Sequence, residues 1–345
     1  MRVRLAEIAE RAGVSVATVS RVLNDKPGVN DNTRRAVLTA VDVLGYDRPA
    51  ALRSKGRGFV GLVVPELENP VFPWVAQAIE HGLSTAGYTP VLGTQSLGGV
   101  HEDQYVETLL DHGVAGIVFV SGIHATVGTD PARYTRLTDR GLPLVLVNGY
   151  QPGIPAAFVA NDDAASVDLA VAHLAHMGHR QIGLAVGQRR YVPVARKIEA
   201  FRDAMRRHVD ADLTDDELEP WIASTLFTVD GGAMAGQNLL DRGATAVVSG
   251  SDLMALGVIR AARLRGLAVP HDVSVVGSDD SMLIEFTDPP LTTVRQPVAA
   301  MAKAVVAMLL EQIDGVPPPR DEMLFAPELV VRASTARVPV STAVV

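Results

Sequence analysis

Two acidic pairs, Asp162-Asp163 and Asp279-Asp280, and three histidines, His173, His176 and His179, are the groups in this chain best suited to acid–base or metal chemistry. Carboxylates and imidazoles exchange protons near neutral pH, and clustered histidines can hold a metal ion. His173 and His176 share a helical face, but His179 follows Gly178 in a turn, and no fixed carboxylate partner stands beside them. No Gly-rich phosphate loop and no Gly-x-Ser-x-Gly elbow is present. The absence of cysteine excludes disulfides, thiolate metal sites and a cysteine nucleophile. The chain is therefore read as a non-enzyme with no cofactor and no metal site.

A second polar set follows a series of predicted strands. Short β-rich runs at Phe59–Val64, Pro90–Thr94, Gly116–Val120, Leu142–Val147, Ile182–Val186, Ala246–Ser249 and Val273–Val276 alternate with amphipathic helices. That alternation is the signature of parallel sheets covered on both faces. Just beyond these runs stand Glu66 and Asn69, Ser121, Asn148, Arg189 and Arg190, Ser251 and Asp252, and Asp279 and Asp280. Ligands of open parallel sheets bind beyond the carboxyl ends of the strands. The set predicts a cleft of donors and acceptors suited to a hydroxylated small molecule, against the plainer alternative that strand-end loops are polar anyway. So many strands exceed one doubly wound domain, and the polar stretch Val159-Ala160-Asn161-Asp162-Asp163 is a natural midpoint, which predicts two similar lobes.

The front of the chain differs in charge. Residues 1–57 carry eleven Lys+Arg against six Asp+Glu, whereas the remainder carries 20 against 33, within a net charge of -8. A basic module on an acidic body suits a polyanion partner for the module alone. Apolar residues at Leu5, Ile8, Ala9 and Ala12 predict one short helix ending at Gly13. Ser15 can cap a second, with Val19, Val22 and Leu23 inward and Ala17, Thr18, Ser20 and Arg21 outward. A third, starting at Asn30 or Asp31, keeps Ala36, Val37, Ala40, Val41 and Leu44 on one side before Gly45. Residues 47–57 hold too little apolar surface for a core and read as a linker. The opening residues lack an apolar export signal, and no apolar run reaches the roughly 18 residues of a membrane span, so a cytoplasmic, non-membrane protein is expected.

These residues resemble one family. Leu5-Ala-Glu-Ile-Ala-Glu-Arg-Ala-Gly-Val-Ser-Val-Ala-Thr-Val-Ser-Arg-Val-Leu-Asn24 is similar to the headpiece of the lactose-repressor (LacI/GalR) family. Further similar blocks run from Glu68-Asn-Pro-Val-Phe72 through His173-Leu-Ala-His-Met-Gly-His-Arg-Gln-Ile182, Ser251-Asp-Leu-Met-Ala-Leu-Gly257, Val273-Ser-Val-Val-Gly277 with Asp279, and Pro290-Leu-Thr-Thr293 to Pro327-Glu-Leu-Val-Val-Arg-Ala-Ser334. The resemblance implies an α/β protein: a three-helix helix-turn-helix headpiece (1–46), a hinge linker (47–57), and a two-lobed, periplasmic-binding-protein-like body of parallel sheets flanked by helices (58–335). The first lobe is expected at about 58–160 and 293–318, the second at about 161–290 and 320–335, with a short tail at 336–345 and crossings near 160, 290 and 320.

The resemblance also implies function: a ligand-responsive regulator, a repressor, that binds a pseudo-palindromic operator as a homodimer and takes a sugar effector between the lobes. Val16, Ala17 and Arg21 occupy the family's base-reading positions; Arg21 can grip a guanine edge, and the other two offer apolar contact. Ser15, Thr18, Ser20 and Asn24 suit phosphates. For Thr18 and Ser20, plain solvent exposure is the alternative. The hinge departs from the pattern: Lys55 stands where the family's minor-groove leucine is expected, and Leu52, one turn earlier, is the wedge candidate. Effector contacts carry over to Asn69, Phe72, Asn148, Lys197, Phe227, Ser251 and Asp279, with Phe72 and Phe227 alternatively read as core. Lys197 replaces a two-pronged arginine with a point donor, beside Arg196. A transport-type solute-binding protein, which the body alone would fit, has no use for the headpiece. The tail lacks the leucine heptads of a tetramerising coil, so a dimer is expected.

Overall fold

The computed structural model describes residues 4–23, 26–46, 56–95 and 100–338. Asn24 and Leu52 lie outside them. The chain divides into two compact units, Met1–Gly56 and Arg57–Val345.

In the first unit, α1 (Leu5–Ala12), α2 (Val16–Leu23) and α3 (Asp31–Leu44) enclose Ile8, Ala9, Val19, Val22, Val37 and Ala40. Gly13 ends α1 at φ 65°, a left-handed conformation that glycine adopts without a Cβ clash. The Ser15 hydroxyl accepts the Thr18 amide at 3.1 Å and so starts α2; the Asn30 side chain does the same for the Thr33 amide at 2.8 Å and starts α3. Ala36 was expected on the buried stripe of α3 but is exposed. The stripe follows 37, 40, 41 and 44, the i, i+3, i+4, i+7 spacing, and Ala36 falls one residue off it.

The second unit begins with β1 (Phe59–Val64), α4 (Val71–Thr85), β2 (Thr89–Thr94), α5 (Glu102–Asp111), β3 (Ile117–Val120), α6 (Ala132–Thr138), β4 (Leu144–Val147) and β5 (Ala157–Asn161). There follow α7 (Asp163–His176), β6 (Ile182–Val186), α8 (Val192–His208), α9 (Asp215–Leu218), β7 (Ile222–Ser224), α10 (Val229–Asp241), β8 (Ala246–Ser249), α11 (Asp252–Leu264), β9 (Ser274–Asp279) and β10 (Thr292–Arg295). The chain closes with α12 (Val298–Ile313), β11 (Glu322–Phe325) and β12 (Glu328–Val330). The strands form two sheets, ordered β11-β5-β4-β3-β1-β2 and β12-β10-β9-β8-β6-β7. Among the described residues, the strand pairings within the two sheets are all parallel except β10 with β12. The second sheet thus repeats the first, and each reverses strand order beside its first strand, where such sheets place their ligands.

Both sheets are covered on both faces. In the first lobe, Leu62, Val64 and Val118 pack against Ile79 and Leu83 of α4 and Val305 and Leu309 of α12, while Val63, Ile117 and Phe119 face Leu109 and Tyr134. In the second, Ile182, Leu184 and Val248 meet Leu174 and Phe201, and Val247 and Val275 meet Leu239 and Val258. Each such fully buried aliphatic or aromatic side chain contributes about 1.5–3 kcal/mol. Helices α10 and α11 approach so closely that a Cβ on Gly232 would lie 2.2 Å from the Met254 carbonyl oxygen.

The polar midpoint, Val159 to Asp163, is where the chain passes from one sheet to the other: the end of the buried strand β5 of the first sheet is followed by the cap and first residue of α7, which packs on the second. Its polarity belongs to Asn161, whose amide bonds Ser166 Oγ at 2.8 Å, and to Asp162, which caps the helix. The expected edges of the lobes nearer the C-terminus are corrected. Thr292–Arg295 pairs with β9 of the second sheet rather than starting the return to the first, and Glu322–Phe325 pairs with β5 of the first sheet. Alternating partners, not composition, decide where these short strands go. Among the described residues, no helix is long and apolar enough to cross a membrane.

Candidate DNA-reading helix and effector cleft

On α2, Val16, Ala17 and Arg21 are exposed, Thr18 and Ser20 half-buried, and Val19 and Val22 buried. The three expected base-reading side chains therefore share the outward face of a helix whose inward face anchors it. Ser15 and Thr18 spend part of their hydrogen-bonding capacity on each other, 2.9 Å apart.

The body presents its site at the carboxyl ends of the strands. Among the described residues, Ser121, Asn148, Asp279 and Asp280 are the non-glycine residues with left-handed backbone, at φ 47°, 64°, 113° and 57°. Each stands at the end of β3, β4 or β9. Such conformations cost of order 1–3 kcal/mol each and persist where the surroundings hold them, typically at functional sites. Here the holding groups are visible. Asn148 donates its side-chain amide to Ser121 Oγ at 2.9 Å, and its backbone carbonyl lies 2.6 Å from Nε2 of the buried His124. Asp280 is gripped by Arg295 Nε and by Arg332, each at 2.7 Å, while Asp279 accepts the Gln296 amide at 2.6 Å.

The second lobe's rim is charged and buried. Lys197 on α8 pairs with Asp163 at the start of α7. Asp252 accepts from Thr293 Oγ1 at 2.6 Å and from the Ser281 amide and hydroxyl at 2.8 Å. Burial pushes Asp252 up to about 6 despite these donors, and burial together with the Asp252 charge holds Asp279 well above the usual carboxylate range. Ser251 caps α11 through the Met254 amide at 3.3 Å. Ser249 Oγ and Asn161 Oδ1 are buried without a hydrogen-bond partner among the described residues. A cavity of about 10 Å³ is lined by Ser166, Lys197 and Ser249 among others.

Of the expected effector residues, Lys197 and Asp279 come within electrostatic reach of each other and of Asp163. Asn148 lies at the corresponding strand ends of the first lobe. Asn69 is buried at the start of α4, its Oδ1 3.4 Å from the Val71 amide. Phe72 and Phe227 are half-buried and pack against the cores of their lobes, and Phe227 lies over Gly187, where a Cβ would meet its ring at 2.0 Å. Asp163 and Gln296 were missed as partners because each pairing joins residues distant in sequence. Arg196 is engaged elsewhere, with Glu322 at 2.8 and 3.0 Å.

The three histidines do not form a site. His179 lies 3.0 Å from Thr245 Oγ1, Ser274 Oγ and the Ala336 carbonyl, and His173 lies 3.0 Å from Thr335 Oγ1, so both fasten the C-terminal segment to the second lobe. No group of three or more His, Cys, Asp or Glu among the described residues could hold a metal ion.

A helix-turn-helix unit joined in one chain to a two-lobed body with a strained, polar strand-end cleft is the build of a ligand-responsive DNA-binding regulator. Residues 4–48 match the description "Bacterial regulatory proteins, lacI family", and residues 171–335 match "Periplasmic binding protein-like domain". The chain is 56% identical over 339 residues to the HTH-type transcriptional regulator reg1 of Streptomyces lividans, covering 98% of each. Among solved structures it resembles a transcriptional regulator CelR–cellobiose complex, at 30% identity and TM-score 0.71 over 96% of this chain and 100% of that one. It also resembles a lac repressor dimer bound to operator and the anti-inducer ONPF, at 26% identity and TM-score 0.68 over 97% of this chain and 100% of the other. The chain belongs to the lacI family of bacterial regulatory proteins, and is a transcriptional regulator rather than an enzyme.

Proposed function

We propose that the protein is a cytoplasmic repressor that binds a pseudo-palindromic operator as a homodimer and releases or tightens it when a sugar occupies the cleft. The observation that carries the effector half is the strand-end set itself: left-handed Ser121, Asn148 and Asp279 held by neighbours, with Lys197 and Asp163 alongside. Unpartnered oxygens at Ser249 and Asn161 add acceptors for ligand hydroxyls. The cellobiose held by CelR supports a sugar, and the operator held by the lac repressor supports duplex DNA as partner. An apolar surface favours a second copy of the chain: Met282 is 79% and Phe286 77% exposed, with Leu283 and Leu264 also exposed. On the DNA, Arg21 reads a base edge, Val16 and Ala17 make apolar contacts, and Ser15, Thr18 and Ser20 touch phosphates. Asn24 and Leu52 keep their proposed phosphate and minor-groove roles.

The test is selection of random duplexes by the full chain, with a thermal-shift panel of sugars that includes cellobiose. A salt-sensitive sequence preference is expected, and Arg21→Ala should weaken it by about 1–3 kcal/mol and relax one base position. Asp279→Ala should lose the sugar-induced shift and keep DNA binding. A chain with no sequence preference at any salt concentration would overturn the reading.

A further inference from the structure

The two lobes touch away from the chain crossings. Thr126, in the turn after β3 of the first lobe, forms an antiparallel bridge with Tyr191, which follows β6 of the second. The Val127 amide donates to the Arg190 carbonyl at 2.7 Å. Two residues of secondary pairing would mean little on floppy loops, but both sides are braced. On the first lobe, the Gln151 amide donates to the carbonyls of His124 at 2.6 Å and Thr126 at 2.8 Å. On the second, Tyr191 is the cap residue of α8, and the Arg190 guanidinium lies against its ring and bonds its hydroxyl at 2.9 Å. One turn along the same helix, Arg196 reaches back to the first lobe through its two-pronged pair with Glu322 of β11.

Helix α8 is thus tied to the opposite lobe at Tyr191 and at Arg196, and Lys197 comes immediately after the second tie. The turn carrying Thr126 also carries His124, whose ring holds the Asn148 carbonyl. Both ends of the contact are therefore fastened to groups that line the cleft.

We infer that the Thr126–Tyr191 bridge and the Arg196–Glu322 pair form a built-in clasp that closes the lobes on each other without any effector, and that the opening of this clasp gates access to the cleft. Arg196 and Glu322 are positioning residues: they act through α8 on Lys197 and do not contact the ligand. Closure is then a property of the protein, and the effector acts on an equilibrium already present. This goes beyond the reading of the cleft as a sugar site, and its test adds no sugar.

The chain has no cysteine, so Thr126→Cys/Tyr191→Cys introduces the sole thiols. Bridged residues of antiparallel strands lie about 4.5–5.5 Å apart at Cα, within disulfide reach. In the full chain under mild oxidant, this pair is expected to link at least about tenfold faster than Thr126→Cys/Arg242→Cys, whose second thiol lies at the far end of the second lobe. Adding Glu322→Gln should slow linking about fivefold or more, with equal rates for the two proteins in denaturant. Once the link forms, hydrogen exchange of the cleft segments 148–151, 249–252 and 279–281 should slow about tenfold, and reductant should restore it. Linking no faster than the control pair would overturn the clasp; an unchanged rate with Glu322→Gln would remove the ion pair from it; unchanged cleft exchange after linking would overturn the gate.

Discussion

The two lobes repeat one strand order and place opposite chemistry at its ends. The first lobe presents chiefly neutral groups, Ser121, Asn148 and Asn69, held by hydrogen bonds to one another or to backbone, while its buried Glu102 is spent on the Tyr134 hydroxyl and the Ile123 amide. The second presents ionisable groups taken out of water, the Asp163–Lys197 pair and the proton-holding carboxyls of Asp252 and Asp279. Topology fixes where a ligand can sit, but it does not fix how it is held. Buried charges in a low-dielectric rim discriminate strongly and are costly if mispaired, whereas neutral donors and acceptors tolerate small changes. The second lobe should therefore set ligand orientation, and the first should complete the enclosure.

This contrast can be broken most directly at Lys197. Lys197→Met leaves Asp163 buried without its partner and should cost about 3–5 kcal/mol in chemical denaturation. A cost comparable to that of a first-lobe substitution would erase the distinction. Next in size, Asp279→Ala should weaken the effector found in the sugar panel by about 2–3 kcal/mol in calorimetry, against about 1 kcal/mol for Asn148→Ala.

Titration sharpens the comparison further. The folded state holds protons on Asp252 and Asp279 that the unfolded chain releases at lower pH, so stability should fall as pH rises from 4 to 7, with Asp252 contributing roughly 1–3 kcal/mol and Asp279 acting in the same direction. Asp252→Asn should flatten that slope in pH-dependent unfolding. The buried His124 and His179 and the half-buried His173, all lowered chiefly by desolvation, act in the other direction, and stability they favour is lost as pH falls below about 6.5. The smallest effect belongs to the first lobe: Ser121→Ala removes the acceptor for the Asn148 amide and should cost about 1 kcal/mol or less in thermal unfolding.

Much of this was readable in advance where the cause is local. Gly13, Ser15, Asn30 and Gly45 are residue types that stop or start helices through their own backbone or side chain, and they do so here. Buried parallel strands such as Phe59–Val64 declare themselves as apolar runs. Ile222–Ser224 and Thr292–Arg295 do not, because three or four residues carry no period and their assignment depends on the neighbours they join. The cleft was legible as a list of polar strand ends but not as a set of partners. Lys197 and Asp163 stand 34 residues apart, and Asp252 and Thr293 41 apart. Nor does a serine or an aspartate announce a left-handed backbone; Ser121 and Asp279 adopt it because the surrounding contacts impose it.

The two last strands have a consequence for how the molecule is made. Glu322–Phe325 completes the edge of one sheet, and Glu328–Val330, two residues later, completes the edge of the other. During synthesis the headpiece emerges before the body, but neither lobe has its full complement of strands until residues 322–330 have left the ribosome. The body must finish as one event, with both halves sealed by the same short stretch of polypeptide, so a chain truncated just before residue 322 would lose both lobes together rather than one.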